Sequence, residues 1–183
     1  RPLLGKLHNR VVRIEHDPAL INYVHFYDKR FSRENIHVGF KDYAEVRQAA
    51  LDLWKMIEHD NIPRALCHLD TRNENFLLHQ SGHLILIDWE YSGMGDPLSD
   101  IAMHCAFENL SVDESVEMLT MYLQKTPSIN EKLRLFINMA FACLWSTQWA
   151  VYKEAHGDDL GAYVLNVYRS TKTFCKETYR LLG

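Results

Sequence analysis

The sequence predicts an α+β domain that is mostly α-helical and carries a small β-hairpin region. Apolar residues recur at helical spacing over residues 41–59, and again over nearly all of the chain after residue 97. Between these stretches the short apolar runs "RALCH" and "HLILID" have strand character, and "NFLLHQSGH" places a Ser-Gly turn between two strand-like runs. Several polar, chemically active residues lie in this part, so we expect the functional site at the hairpin region.

The segments that precede the hairpin are predicted to be helical. "LLGKLHN" has the pattern of the last turns of a helix, and "DPALINYVHFY" that of a short helix with a proline near its start. Residues 41–59 form an amphipathic helix, which Asn61 and Pro63 should end.

Helices are predicted for nearly all of the chain beyond the hairpin. Ser111 is a suitable N-cap, and Glu114 stands at the position that completes a capping box. A long, strongly apolar helix follows over residues 129–156, and Gly157 can end it. A last amphipathic helix is expected from about 158 to 182.

Composition and length are typical of one soluble globular domain of ordinary size. The 183 residues are 47% hydrophobic and 24% charged, and the formal net charge is −4. No run of Lys and Arg is long enough to bind nucleic acid, and no apolar run approaches the roughly 18 residues of a membrane span. Neither nucleic acid nor a membrane is therefore an expected partner. The four cysteines are far apart and lack metal-ligand spacing, which predicts reduced thiols in a cytoplasmic protein: Cys67, Cys105, Cys143 and Cys175.

A polar constellation surrounds the predicted hairpin. Asp70 is followed by Asn75, and Asp88 comes later, at the end of an apolar strand. Phosphoryl transfer requires a carboxylate that accepts the proton of the substrate hydroxyl, together with carboxylate and amide oxygens that hold Mg²⁺ against the phosphates. Because His68 completes the pattern HxDxxxxN, the set favours a phosphotransferase site. A purely structural hydrogen-bond network is the alternative.

Two segments resemble the choline/ethanolamine kinase family, which lies within the larger aminoglycoside-phosphotransferase-like group. "CHLDTRNENFLL" is similar to that family's catalytic loop, and "LIDWEYSGMGDPLSDIA" to its metal-binding segment. A weaker resemblance extends from "LLGKLHN" to the C-terminal helices. The resemblance implies that residues 1–183 form the C-terminal, helical lobe of a two-lobed protein-kinase-like fold. It further implies ATP and Mg²⁺ as cofactors, and choline or a related small amino alcohol as phosphate acceptor.

The resemblance also implies a role for each residue of the motif. Asp70 becomes the catalytic base, and Asn75 and Asp88 become the metal ligands. His68 is grouped with the candidate catalytic residues, although its family role is to brace the loop. Glu90 either acts on the metal through a water molecule or pairs locally.

Three further polar residues near the motif have competing interpretations. Arg72 stands two positions after Asp70, where a guanidinium can bind the transferring phosphate through paired donors. It is therefore the third candidate catalytic residue, with an ordinary surface arginine as the alternative. Asp96 and Asp100 are interpreted as helix-cap and loop-bracing residues rather than as ligands.

The acceptor implied by the resemblance carries a quaternary ammonium, which aromatic faces bind best. A stripe of aromatic residues recurs along the long predicted helix: Phe141, Trp145, Trp149 and Tyr152. Such stripes are usually core packing, but "LWS" resembles the family segment that supplies a choline-facing tryptophan. Tyr91 lies at the matching Asp-x-Glu-Tyr position. The predicted substrate-binding residues are therefore Tyr91 and Trp145, with Trp149 and Tyr152 as further candidates.

Ahead of the catalytic loop, the sequence has neither the Gly-rich phosphate-binding loop nor the strand lysine that a kinase uses. Together with a first residue that is not Met, this predicts the C-terminal lobe of a longer enzyme, whose N-terminal kinase lobe is its partner. We expect the isolated chain to bind ATP poorly and to turn over slowly or not at all. Three alternatives remain open. They are another acceptor such as ethanolamine or an aminoglycoside, a non-catalytic kinase-derived binding module, and a structural helical interaction module.

Overall fold

The computed structural model describes residues 3–8, 20–58, 62 and 64–183 of the chain. Its helices, α1 to α7 in chain order, span Leu3–His8, Leu20–Glu34, Tyr43–Ile57, Leu98–Phe107, Val112–Leu123, Ile129–Ala155 and Tyr163–Leu182. Its strands, β1 to β4, span Ala65–Cys67, Phe76–Leu78, Leu84–Leu86 and Gly93–Gly95. This mostly helical architecture with a small β region confirms the predicted fold class. Within the described residues, no helix combines the length and the apolar character that crossing a membrane requires.

The predicted β-hairpin is formed by β2 and β3, which pair antiparallel with Phe76 opposite Leu86. The His79 amide closes its turn by donating to the His83 carbonyl at 2.8 Å. Gly82 adopts a φ of +80° in this turn. Glycine reaches that conformation without the strain that a Cβ introduces, which is the physical basis of the Ser-Gly signal.

A second two-stranded sheet joins β1 to β4, and the sequence does not predict it. The strands are antiparallel, with Ala65 opposite Gly95 and Cys67 opposite Gly93. Strand β4 reads Gly-Met-Gly, which lacks the β-branched and aromatic residues that are typical of strands. Its conformation is set by its pairing with β1, which brings the segment after Asp88 back beside the residues that precede His68.

The chain divides into two compact units. The first contains residues 1–18 and 61–135, and the second contains residues 19–60 and 136–183. The first unit therefore holds both sheets, α4 and α5, whereas the second holds α2, α3, α7 and most of α6. The residues of the HxDxxxxN pattern, together with Asp88, lie entirely in the first unit.

Each unit has its own apolar core. In the second unit, Trp54 of α3 packs on Phe141 of α6 with ring centroids 4.6 Å apart, and Phe174 of α7 stacks on Phe136 of α6 at 6.1 Å. In the first unit, Met103 of α4 is completely buried. Burying a side chain of this size stabilises a fold by about 1.5–3 kcal/mol, so these contacts hold each unit together.

The ends of α5 and α6 follow the predicted signals. The Glu114 amide donates to Ser111 Oγ at 3.3 Å, and the Ser111 amide donates to Glu114 Oε2 at 2.8 Å. The capping box is therefore confirmed. Gly157, just beyond α6, has a φ of +97°, which suits a glycine at a helix end.

Other helix ends differ from the sequence prediction or cannot be compared with it. Helix α7 begins at Tyr163, later than predicted, because the chain turns at Gly161 with a φ of +53°. Helix α3 ends at Ile57. The predicted end signals of α3, Asn61 and Pro63, lie outside the described residues.

Replacing Ser111 by Ala is expected to lower the free energy of unfolding by about 1 kcal/mol, because it removes the acceptor for the Glu114 amide. Chemical denaturation of both proteins measures the difference. Ser32→Ala, at an exposed position of α2, is the matched control and should change that free energy by less than about 0.5 kcal/mol. Equal losses in the two variants would contradict the capping role.

Candidate active site

The loop that follows β1 holds Asp70 in a fixed orientation. Asn75 Nδ2 donates to the Asp70 backbone oxygen at 2.7 Å and to its Oδ2 at 2.8 Å. Arg72 Nε donates to the other carboxylate oxygen, Oδ1, at 3.1 Å. Asp70 is only 8% exposed. A carboxylate that is nearly buried, held through both oxygens and still in reach of solvent is well placed to act as a general base.

Asn75 is oriented so that its amide oxygen remains available. Its Nδ2 makes two hydrogen bonds to Asp70, and the flipped amide would place Oδ1 against two oxygens instead. The backbone oxygen of Asn75 accepts from the Ile87 amide at 3.0 Å, which ties the loop to the end of β3. The Asn75 side chain and the residue that follows Ile87 are thereby brought to one end of the hairpin.

Asp88 is the residue that follows Ile87, and it has a left-handed backbone with a φ of +64°. Its side chain is exposed, and among the described residues its carboxylate makes no hydrogen bond or ion pair. A non-glycine residue in this conformation costs about 1–3 kcal/mol, and such strain concentrates at functional sites. The unpaired carboxylate of Asp88 and the amide oxygen of Asn75 are hard ligands of the kind that Mg²⁺ prefers.

His68 connects the loop that follows β1 to the residue just beyond β3. Its Nδ1 accepts from the Asp70 amide at 3.2 Å, so Nε2 carries the proton of the neutral ring and donates to the Ile87 carbonyl at 2.7 Å. The ring is completely buried and meets the Trp89 ring edge-on, with centroids 4.7 Å apart. Both nitrogens are committed to the backbone. This geometry supports a positioning role and leaves no nitrogen to exchange a proton with a substrate.

Asp100, in the first turn of α4, holds the backbone of the loop that follows β1. Its Oδ1 accepts from the Leu69 amide at 2.8 Å, and both of its oxygens lie 2.9 Å from the His68 amide nitrogen. His8 Nε2 lies 2.9 Å from its Oδ2. Asp96 serves α4 instead, since its Oδ1 accepts from the Leu98 amide at 2.9 Å. Both aspartates therefore have the bracing and capping contacts expected of them.

Arg72 and Tyr91 complete the polar surroundings of Asp70. The Arg72 guanidinium lies over the Phe107 ring, 4.5 Å from its centroid, besides pairing with Asp70. Burial raises the pKa of the Tyr91 hydroxyl, and the carboxylates of Glu90, Asp70 and Asp88 raise it further. The carboxylates of three predicted site residues, Asp70, Asp88 and Glu90, therefore lie close enough to Tyr91 to act on its hydroxyl electrostatically.

The aromatic stripe of α6 lies in the second unit, and its residues make different contacts there. Phe141 is completely buried core. Trp145 is 6% exposed and stacks on Tyr23 with centroids 4.8 Å apart. Trp149 meets Tyr163 edge-on at 6.2 Å.

Tyr152, the last residue of the stripe, already contacts a cation of the chain. The Arg30 guanidinium lies 4.7 Å from the centroid of its ring, and Arg30 also donates to its hydroxyl. Tyr91 belongs to the first unit. Tyr91 therefore lies near the carboxylates of Asp70, Asp88 and Glu90, whereas the α6 aromatics have their described contacts within the second unit.

One cluster in the described residues has atoms close enough for a metal ion. Ligand atoms of His8, Cys67 and Asp100 all lie within 4.8 Å of one another. However, Asp100 already accepts hydrogen bonds from two backbone amides and from His8. Burial raises the pKa of the Cys67 thiol well above its usual value, and Asp100 and Asp96 raise it further, so the thiolate that a metal needs is disfavoured. The hydrogen bonds made by Asp100 explain why these residues lie together, without a metal ion.

Sequence reasoning missed two members of this network. His8 and Tyr122 are hydrogen-bonded to each other although they are 114 positions apart, and His8 reaches Asp100 across 92 positions. No spacing rule connects residues at such separations. The only signal was the pairing of "LLGKLHN" with the family resemblance.

Comparisons with known proteins place the chain among phosphotransferases. The family model described as "Phosphotransferase enzyme family" matches residues 3–134. The protein LicA of Haemophilus influenzae is 36% identical over 105 residues, which are 54% of this chain and 39% of LicA.

Solved structures extend the similarity over nearly the whole chain. A choline/ethanolamine kinase family protein from Mesorhizobium loti has a TM-score of 0.84 and 26% identity, covering 98% of this chain and 62% of that one. The choline kinase LicA from Streptococcus pneumoniae has a TM-score of 0.78 and 28% identity, covering 96% of this chain and 61% of that one. The chain therefore spans about two fifths of the curated relative and three fifths of the solved ones.

Proposed function

The chain belongs to the phosphotransferase enzyme family, and we propose that it is the catalytic lobe of an ATP-dependent kinase that phosphorylates the hydroxyl of choline or a related small amino alcohol. The observation that carries this proposal is the nearly buried carboxylate of Asp70, fixed by donors from Asn75 and Arg72. Similarity to LicA and to a choline/ethanolamine kinase family protein supports the acceptor class.

Asp70 is the proposed general base. Its carboxylate would accept the proton of the acceptor hydroxyl as the hydroxyl oxygen attacks the γ-phosphorus, and the bond between that phosphorus and the ADP leaving group would break. Because each of its oxygens already has a donor from the loop, the carboxylate need not be reoriented when the substrate binds. Arg72 is the proposed phosphate ligand, since its guanidinium is held beside Asp70 by the Phe107 ring and keeps further donors available.

Asn75 and Asp88 are the proposed Mg²⁺ ligands. Asn75 offers Oδ1 because its Nδ2 is committed to Asp70, and Asp88 offers an exposed carboxylate. When bound, Mg²⁺ neutralises negative charge on the phosphates of ATP. Glu90 is proposed to contact the metal through a water molecule or to remain hydrogen-bonded to Tyr91, whose pKa burial raises and Glu90 raises further.

A further part of the same protein is the proposed partner of this lobe. The hairpin presents exposed apolar side chains on both strands, with Leu77 47%, Leu78 72%, Leu84 49% and Ile85 45% exposed. Exposed apolar patches of this kind mark interaction surfaces. The solved relatives are also considerably longer than this chain. We propose that an N-terminal nucleotide-binding lobe covers this face and supplies the rest of the ATP site.

A cytoplasmic location is part of the proposal. All four cysteines are free and buried. Burial raises the pKa of Cys105 to about 12, so that thiol is unreactive at neutral pH. Free, unreactive thiols without a disulfide framework are typical of proteins in reducing compartments.

The deciding experiment is the mass of the intact native protein, followed by an ATP-consumption assay with choline, ethanolamine and an aminoglycoside. We expect a mass well above 21.4 kDa and turnover that depends on choline. The 183-residue chain alone should show weak ATP binding and little or no turnover. A native mass of 21.4 kDa without turnover on any acceptor would contradict the proposal and indicate a kinase-derived binding module.

Replacing Tyr91 by Leu is expected to raise KM for choline by about 2- to 30-fold, because a cation–π contact contributes about 0.5–2 kcal/mol. Leucine keeps apolar volume while it removes the aromatic face. KM for ethanolamine, whose primary ammonium is better satisfied by carboxylates, should change less. Tyr179→Leu, at a half-exposed aromatic position of α7, is the control. Equal effects on the two acceptors would argue against choline-specific contacts.

A further inference from the structure

A continuous chain of hydrogen bonds leads from α5 to both catalytic segments. Tyr122 Oη of α5 lies 2.8 Å from His8 Nδ1, and His8 Nε2 lies 2.9 Å from Asp100 Oδ2. Asp100 in turn holds the amides of His68 and Leu69, directly before Asp70. All of these residues belong to the first unit.

The direction of each bond follows from the chemistry of the groups. A carboxylate only accepts, so His8 Nε2 carries the proton that it donates to Asp100. In the neutral ring Nδ1 is then an acceptor, and the Tyr122 hydroxyl donates to it. Burial raises the pKa of Tyr122, and the charges of Asp100 and Asp96 raise it further, which keeps this hydroxyl protonated as a donor.

The loop needs such an anchor because its backbone is strained. Leu69 has a φ of +61°, a conformation that a branched side chain adopts only when its surroundings enforce it. The contacts that enforce it are the hydrogen bonds that the backbone amides of His68 and Leu69 donate to Asp100. The Asp100 carboxylate can rotate about its side-chain torsions unless a third donor fixes it, and His8 supplies that donor with its side chain 4% exposed.

The strain at Leu69 is coupled to the rest of the site through His68. The amide of His68 is bound by Asp100, and its ring bridges the Asp70 amide and the Ile87 carbonyl. A shift of Asp100 would therefore move the backbone of Asp70 and the residue before Asp88 together.

We propose that Tyr122 and His8 are positioning residues for the reaction. Through Asp100 and His68, they keep the backbones of Asp70 and Asp88 in fixed positions relative to each other. This inference rests on the proposed phosphotransferase function. Neither residue touches the reacting groups, so their loss should lower the rate of the chemical step and leave substrate binding nearly unchanged.

Tyr122→Phe tests the outer end of this chain, because it removes one hydroxyl and keeps the ring that meets His8 edge-on with centroids 5.7 Å apart. In the native-length protein we expect kcat to fall about fivefold to tenfold, with KM for ATP and for choline within about twofold. Amide hydrogen exchange at Leu69 and Asp70 should accelerate by a similar factor. Thr120→Val, which removes another side-chain hydrogen bond of α5 that ends within the helix, is the matched control and should change neither readout.

His8 provides the second test through a conservative rescue. The amide of His8→Gln can still donate to Asp100, whereas His8→Leu cannot, so Gln should retain slower exchange at Leu69 and a higher kcat than Leu. Equal values for the two variants would overturn the hydrogen-bonding role. Faster exchange with unchanged kcat would overturn the positioning role. Absence of turnover in the unmodified protein would instead count against the proposed function. The hydrogen-exchange rates at Leu69 and Asp70 do not depend on turnover, so they would still test the hydrogen-bond chain.

Discussion

Asp70→Asn is expected to reduce kcat of the native-length protein by about 10²- to 10⁴-fold, the usual contribution of a general base. Asparagine has the size of aspartate, and its Oδ1 can still accept the hydrogen bond that Asn75 donates. It cannot take up the proton of an acceptor hydroxyl. Its Nδ2 would face Arg72 Nε, which now donates to Asp70 Oδ1, so the loss of rate reports the missing base only if the denaturation curve shows that the variant remains folded.

The comparison requires kcat and KM for the variant with the same acceptor, together with its denaturation curve. Asp52→Asn is the matched control, since Asp52 is an exposed aspartate of α3 whose partner is Lys55. That control should keep its kcat within about twofold, because surface ion pairs contribute little. If Asp70→Asn retained more than about a tenth of the original kcat, the role of Asp70 as base would have to be abandoned.

The local part of the site could be predicted from spacing alone. Asp70 and Asn75 lie on one short loop, and a turn of that length brings side chains five positions apart into contact, as the hydrogen bonds between them show. The end of an apolar strand predicts where Asp88 lies. The left-handed conformations at Leu69 and Asp88 cannot be predicted from the residue types, because leucine ordinarily avoids positive φ and aspartate, although enriched there, adopts it at only a small share of positions.

The parts that sequence reasoning missed depend on contacts between distant segments. His8 meets Asp100 only because α1 and α4 belong to the same unit, and no periodicity reports this. Strand β4 has no strand propensity of its own and exists through its pairing with β1. The aromatic stripe of α6 shows the same limit, since helical spacing places Phe141 and Trp145 on one face but does not tell core from contact surface.

Asp100→Asn is expected to lower the free energy of unfolding by about 3–5 kcal/mol, the magnitude found when one partner of a buried charged network is removed. The carboxylate is completely buried and accepts from the amides of His68 and Leu69 and from His8. An amide in its place turns one acceptor into a donor that faces other donors. Each buried donor left without an acceptor costs about 1–3 kcal/mol, so two such losses give a value in the expected range.

Urea denaturation of the 183-residue chain measures this effect without any assay of activity, which makes the prediction independent of the proposed function. Asp113→Asn, at an exposed position in the first turn of α5, is the control and should cost less than about 1 kcal/mol through the helix dipole. If the two variants were equally stable, Asp100 would not anchor the loop. The strained backbone at Leu69 would then need another cause, and the positioning role of His8 and Tyr122 would lose its basis, because both act through this carboxylate.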